Sequence, residues 1–560
     1  MNRNLKELTS KIYDLLVIGG GIYGACVAWE ASLRGLSVGL VEKTDFGWAT
    51  SANSLKTIHG GLRYLQHADF KRMRESISER KTLMRIAPHL IHPLPVLLPT
   101  YGHGMKGKEV LAVALFLNDI ISCDRNQIKD RQKHIPNGRV ISKKECQQLL
   151  PGIPSQGLTG GAIFADAQVY NSERLTLSFL NSAAQLGANL ANYVEVTGFL
   201  QGGERITGVK AQDTLTGEQF DIQAKTVVNT SGPWINRLLN LVDGKQLQPG
   251  LPLAKAMNLV TRPIFNNYAV GISAQNSYRD PDALIDKGSR LLFVSPWRGK
   301  SMIGTSYTVY DQDPDNFQIT EKDIQGFLHE INQALPSVSL KVEDVDFVHG
   351  GLLPRTGITK TGDPLIAKHY QLRDHSQERL PGLISVTGVK YTTARDVAEK
   401  VVNQVFESWG QKPGKSLSAV TSLHDGKIEK FDDFLRTAIA EAPDGLGEEV
   451  MRRLVYNYGS AYPDLLKYFQ KNTKDSQESG DDLAVLKAEV VYGVRKEMAQ
   501  KLSDVVFRRT ELGSAGCPGE EALNICAETM GAELSWSRAR IEQELQELSN
   551  FNKSKCLVVS

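Results

Sequence analysis

At 560 residues the chain is too long for one compact domain, so two or three are expected. Its hydrophobic fraction of 41% and charged fraction of 23% are those of a globular protein, and a net charge of +2 supplies no field for nucleic acid, so no nucleic-acid partner is expected. Six scattered cysteines without a C-x-x-C pair give no metal site and point to reduced thiols in a cytoplasmic setting.

The first residues, MNRNLKELTSK, lack the apolar core of a signal peptide. No run approaches the roughly 18 consecutive apolar residues of a membrane span. Residues 15–18 form a short apolar, partly β-branched run that predicts a buried strand. Gly19, Gly21 and Gly24 then satisfy G-x-G-x-x-G, residues 25–33 read as a helix broken at Gly35, and residues 37–41 as a second strand ending at Glu42. In this order the parts fit dinucleotide binding. Gly19 permits the tight turn, Gly21 lets the backbone approach a pyrophosphate, and Gly24 lets helix and strand pack closely. The helix N-terminus offers free N–H groups to the phosphates, and Glu42 is placed to accept both ribose hydroxyls. An acid there opposes a 2′-phosphate, which favours FAD or NAD over NADP.

A long small-residue loop follows, FGWATSANSLKTIHGGLRYLQHADF, of the kind that carries function. Residues 70–86 read as a charged amphipathic helix. Residues 91–154, rich in proline, glycine and basic side chains, read as an insertion containing the apolar run 110–117. Strands are expected at 161–166, 190–199, 208–213 and 220–228, with a helix at 172–186. The strand at 220–228 runs into Asn229-Thr230-Ser231-Gly232-Pro233-Trp234, a second place where backbone could meet a cofactor. From 252 to 349 the pattern is strand-like (258–263, 291–296, 301–307, 344–349) apart from a helix at 321–335. A buried strand at 383–387 and a helix running to about residue 409 return the chain to the nucleotide core. Residues 411–425 make a linker. Beyond 428 the pattern is helical (431–439, 448–456, 483–503, 537–548), with a polar loop at 472–481 and a frayed tail.

Several blocks resemble the FAD-dependent glycerol-3-phosphate dehydrogenases: residues 14–42, the run 49–65 with IHGGLRYL, 229–234, FVSPW at 293–297 with IGT at 303–305, GVKYTTAR at 388–395, and EVVYGVRKEMAQKLSDVVFRRTELG at 489–513. They run in the family's order over nearly the whole chain. The resemblance implies an α/β fold with a discontinuous Rossmann-like FAD-binding domain (1–90, 155–245, 345–410), a β-rich substrate domain (91–154, 246–344), a linker (411–427) and a C-terminal all-helical domain (428–550). It implies FAD, held by Gly19, Gly21, Gly24, Glu42, Thr50, Ser51, Val196, Thr230, Gly232, Gly388 and Thr392. It implies oxidation of sn-glycerol 3-phosphate, a small anionic substrate, with electrons passed to quinone or another acceptor. A homodimer and a peripheral contact on the inner face of the cytoplasmic membrane belong to the same expectation. For the membrane contact, the run 110–117 followed by Arg125, Lys129, Arg131 and Lys133 suits an interfacial patch; the alternative is a buried core helix.

Alcohol oxidation needs a base within reach of the hydroxyl. His59 is the candidate, as histidine titrates near neutrality; the alternative is a histidine that ties the loop down. Arg63 could grip an anion bidentately, and Tyr64 could donate to the same oxygens or simply pack. Lys255 and Lys390 match lysines of two family motifs and would add positive charge. The substrate blocks depart from the family pattern: its K-G-S-H is Lys255-Ala256-Met257-Asn258, its G-T-T-D ends in Tyr307, and its G-V-R-P-L has Leu353 in the arginine slot. Arg355, two residues on, is the candidate replacement. The alternative function is an FAD-dependent enzyme for a different polyol phosphate, hydroxy acid or amino acid; a flavin-binding protein without turnover is a third reading.

Overall fold

The computed structural model describes residues 1–102, 107–242, 247, 249–274, 291–469 and 478–555. Two sheets carry the architecture. The first has eight strands, in the order Gln371–Asp374, Leu383–Thr387, Gln219–Asn229, Tyr13–Ile18, Val38–Val41, Asn189–Ala191. Its centre is parallel: Tyr13–Ile18 pairs Gln219–Asn229 on one side and Val38–Val41 on the other. These central strands are buried along nearly their whole length, as a parallel sheet covered on both faces requires. The helices Ile22–Leu33, Ser172–Gln185 and Ala394–Ser408 share one core with the sheet, in which Trp29 meets Phe179 edge-on at 5.4 Å. The antiparallel strands Val194–Gly202 and Arg205–Asp213 extend it from Gln219–Asn229.

The second sheet has ten strands and is almost wholly antiparallel. Its order is Pro364–Ile366, Val345–Ile358, Leu253–Thr261, Lys300–Tyr310, Leu291–Trp297, Ala269–Ser273, Ile91–Tyr101, Leu158–Val169, Thr57–Ile58, with Arg139–Ser142 also on Leu158–Val169. The amphipathic helix Glu321–Ala334 covers one part of it through Ile324, Phe327 and Ile331.

Sheet membership redraws the expected boundaries. Leu158–Val169 and Val345–Ile358, expected in the cofactor domain, both pair inside the ten-stranded sheet. The chain crosses between the two sheets repeatedly. The strand Ile91–Tyr101, inside what reads as an irregular insertion, pairs along its length with Leu158–Val169. Its prolines, Pro93, Pro95 and Pro99, are spaced by even numbers. All three can therefore occupy positions whose missing N–H points away from that partner.

Beyond the linker the chain is helical: Phe431–Ala440, Glu448–Tyr458, Glu478–Glu497, Glu520–Leu534 and Arg538–Lys555. The loop expected at 472–481 is helix from Glu478 onward; residues 470–477 lie outside the described residues, as does the end of the tail. This block has its own core around Phe431, Leu454 and Tyr458, and a second core shared with Val260, Met302 and Phe347 of the ten-stranded sheet. Cys26, Cys123, Cys146 and Cys526 are free, but Cys517 is disulfide-bonded, which corrects the expectation of reduced thiols throughout.

Candidate functional site

The two sheets meet over one cavity of about 1200 Å³. At one end lie Gly19, Gly21, Glu42, Val196, Thr230 and Gly232; Thr50, Ser51, Gly388 and Thr392 line it further along; His59, Arg63, Tyr64 and Lys390 line it too. Local chain geometry explains the glycine end. Gly19 sits at φ +102°, a conformation that side chains disfavour. A Cβ on Gly24 would lie 1.9 Å from the Gly19 carbonyl oxygen, so only glycine allows the helix this close; Gly24 thus supports the cavity from behind rather than lining it. The helix Ile22–Leu33 has no side-chain cap from Gly21, and Ser51 Oγ accepts from Ile22 N at 2.9 Å. Thr230 Oγ1 donates to the carbonyls of Ile18 and Gly19 and fixes the turn from the opposite strand.

Glu42 is buried, and burial pushes its carboxyl up, against hydrogen bonds from the backbone N–H groups of Thr44 and Gly20. Its Oε2 accepts from Gly20 N at 2.7 Å, and its Oε1 accepts from Thr44 N at 3.0 Å and from Thr44 Oγ1 at 3.3 Å, which leaves a lone pair on Oε2 for a ribose hydroxyl. Open N–H groups at a helix start, a turn that tolerates no Cβ at Gly24, and a carboxylate at the neighbouring strand end together fit the pyrophosphate and ribose of FAD. Tyr23 holds the far wall: its hydroxyl accepts from Val389 N and Lys390 N and donates to Lys390 O.

His59 Nδ1 lies 3.0 Å from Asp166 Oδ2. Asp166, on Leu158–Val169, also accepts from Gly60 N at 2.6 Å and Arg80 at 3.2 Å. Burial alone would raise its carboxyl, but the His59 hydrogen bond, the charges of His59 and Arg80 and the Gly60 N–H outweigh it and hold the group below the ordinary carboxylate range. An ionised Asp166 accepts only, so in the neutral imidazole Nδ1 carries the proton and Nε2 is the acceptor. The sequence offers no motif for Asp166; an acid near the end of a strand is the sole sign of it.

Lys390 Nζ stands 4.0 Å from the Tyr64 ring centre. Burial, and then the neighbouring Arg72 charge, push its ammonium down to about 7. Arg72 stacks on the same ring at 4.4 Å. Arg63 is exposed on the cavity wall. The loop that carries these residues is tied down by Lys56, whose buried ammonium bonds Ala52 O, Ser172 Oγ and Glu173.

Two expected residues lie elsewhere. On Leu253–Thr261, Ala256 and Asn258 line the cavity, and strand alternation turns Lys255 to the other face. There its Nζ pairs with Asp323 at 2.8 Å. Arg355 does not replace an arginine at Leu353: Leu352, Leu353 and Pro354 line the cavity, while the Arg355 guanidinium donates to Leu253 O at 2.9 Å and to Asp311 at 2.6 Å.

The helix Lys108–Ile121 borders the same cavity with Val110, Leu111 and Ala114. Its other stripe, Val113, Phe116, Leu117 and Ile120, is exposed, and of the helix only Leu115 is fully buried. Among the basic residues expected beside it, Lys129 and Arg131 are exposed but Arg125 and Lys133 are buried. No helix among the described residues is long and apolar enough to cross a membrane, and no group of metal-binding side chains occurs among them.

A family model described as FAD dependent oxidoreductase matches residues 14–394, and one described as the C-terminal domain of alpha-glycerophosphate oxidase matches residues 391–541. A protein of Synechocystis sp. named glycerol-3-phosphate dehydrogenase is 33% identical over 99% of this chain and 99% of its own. The aerobic glycerol-3-phosphate dehydrogenase of Staphylococcus aureus is 32% identical over 90% of this chain and 88% of its own. The solved structure of the glycerol-3-phosphate dehydrogenase from Bacillus halodurans, complexed with FAD, is similar at a TM-score of 0.75 and 28% identity, over 97% of this chain and 95% of that one.

Proposed function

This chain belongs to the FAD-dependent oxidoreductases and, among them, to the glycerol-3-phosphate dehydrogenase family, and from that membership we propose how its own residues oxidise sn-glycerol 3-phosphate to dihydroxyacetone phosphate. Bound FAD supplies the two-electron acceptor for the hydride of the alcohol carbon. His59 takes the hydroxyl proton at Nε2, because Asp166 engages Nδ1 and steadies the imidazolium that forms. Arg63 and Lys390, two cations on the wall of the same cavity, receive the phosphate. Tyr64, whose ring also carries Arg72, orients Lys390 through its ring face. The observation that carries the reading is the His59–Asp166 pair on the wall of a cavity that also holds the Gly19–Gly24 turn. The test is turnover of glycerol 3-phosphate with an artificial dye by protein that releases FAD on denaturation; flavin-loaded protein inert to this substrate would refute it.

The acceptor and the setting belong to the proposal as well. The exposed stripe of Lys108–Ile121 supports a peripheral membrane contact on the inner face of the cytoplasmic membrane, and the opposite stripe of this helix, on the cavity wall, supports an apolar acceptor of the quinone class. A homodimer rests on the family resemblance alone and is read from the mass in solution. A second reading, a different substrate in the same flavin site, is favoured by Leu353 and Tyr307 on the cavity wall, since both are less charged than the family pattern.

A further inference from the structure

The C-terminal helices reach the cofactor end through a buried cluster of four charges. Asp45 lies three residues after Glu42 and two before Gly47, which both line the cavity. Its side chain is fully buried. Arg509 grips it bidentately, Nη2 on Oδ1 and Nη1 on Oδ2, each at 2.7 Å, and Arg508 Nε donates to Oδ2. Arg508 also donates to Asp504 at 2.7 Å, and Tyr193 donates to the same Asp504 oxygen at 2.7 Å. Two carboxylates and two guanidiniums balance, as buried charges must. The two arginines hold the Asp45 carboxyl well below its usual range against its burial, whereas burial and the Asp45 charge push Asp504 up.

The loop so gripped is also the one that shapes the cofactor end. Gly47 N donates to Gly20 O at 3.0 Å, and the Phe46 ring packs where a Cβ on Gly20 would stand. Tyr193 N donates to Thr44 O, and Asn192 Nδ2 joins Asp45 to the Met498 carbonyl. We propose that Arg508 and Arg509 are positioning residues for FAD: acting through Asp45, the C-terminal domain fixes the 42–47 loop against the glycine turn and so sets how tightly the flavin is held. The proposal rests on the FAD assignment above and adds to it a domain that touches neither the flavin nor the substrate in that reading.

The test compares FAD release from the holoenzyme in Asp45→Asn, Arg509→Gln and Arg298→Gln, followed by flavin fluorescence, with the melting temperature measured with and without added FAD. Arg298 is the stability control. It ties the ten-stranded sheet to the same C-terminal block through Ser514 and Glu511, but it does not line the cavity. Asp45→Asn and Arg509→Gln are expected to weaken FAD retention by about tenfold or more; Arg298→Gln is expected to lower the melting temperature and leave FAD retention as it was. Equal retention in all three overturns the proposal, as does equal loss in all three, which would reduce the cluster to ordinary stability. If the first two variants fail to fold, Asp45→Glu and Arg509→Lys keep the charges and alter the geometry, and wild-type retention in both overturns it. A wild-type protein that never takes up FAD overturns the cofactor assignment and this inference with it.

Discussion

His59 and Asp166 are joined by a 3.0 Å hydrogen bond although 107 residues separate them, and the bond continues the pairing of Thr57–Ile58 with Leu158–Val169 at the edge of the ten-stranded sheet. His59→Asn should lower kcat by about 10²–10⁴-fold at unchanged FAD content. Asp166→Asn should lower kcat as well, because an amide does not fix the proton on Nδ1. Steady-state rates per bound flavin check both; full activity in His59→Asn would assign the histidine to loop anchoring instead.

Lys390 supplies a pH dependence of definite sign. Its ammonium is pushed down to about 7 in the free protein, so the group is cationic below that pH and neutral above it. An anionic substrate then loses its partner as the pH rises. The alkaline limb of kcat/KM should fall from about pH 7 upward, by about tenfold to a hundredfold for one charge-assisted contact. Lys390→Met should start at the low plateau and show no such limb. The second ionisation of the substrate phosphate, near pH 6, lies below this window.

Arg63 and Arg355 should behave differently. Arg63→Ala should raise KM for glycerol 3-phosphate by about tenfold to a hundredfold, with Arg63→Lys intermediate because the planar fork is lost. Arg355→Ala should leave KM within about twofold, because its guanidinium is spent on Leu253 O and on Asp311, itself 67% exposed. A large KM effect at Arg355 would return it to the substrate.

Gly24→Ala should yield protein without bound flavin or without a stable fold, since the new methyl would meet the Gly19 carbonyl at 1.9 Å. Gly198→Ala is the tolerant comparison, with its nearest neighbour at 3.5 Å. Flavin absorbance and melting temperature measured side by side separate the two.

The exposed stripe of Lys108–Ile121 should mediate membrane contact. Phe116→Glu with Ile120→Glu should reduce sedimentation with anionic vesicles while dye-linked turnover persists. Unchanged sedimentation would assign the stripe to another role.

What was legible in the sequence was local. The turn Gly19–Gly24 and its flanking strands show their pattern within thirty residues, and the tightest contact, Gly24 on the Gly19 carbonyl, is local; the Thr230 and Ser231 backbone against Gly19 is not. The helix Phe70–Ile86 is bounded as its pattern predicts, by Asp69 capping one end and Pro88 following the other. The rest depends on pairing across the chain. Lys255 matched a motif by spacing and Arg355 stood two residues from one, but which face of a strand meets the cavity is set by register against distant strands, and both strands carry register shifts. Asp166 had no local signature for the same reason. Pro93, Pro95 and Pro99 disguised a strand whose exemption from the usual rule lies in its partner's register.

The cluster at Asp45 has a consequence for the order of events during synthesis. Arg509 follows Asp45 by 464 positions. At about 5–20 residues per second, roughly 25–90 s of translation separate the emergence of the two. Through that interval the glycine turn can be complete on the nascent chain, yet the charge of Asp45 has no guanidinium to meet. A ribosome-bound chain arrested before residue 508 should therefore expose this carboxylate to water and let flavin go, and firm retention should arrive only as the last tenth of the polypeptide leaves the exit tunnel.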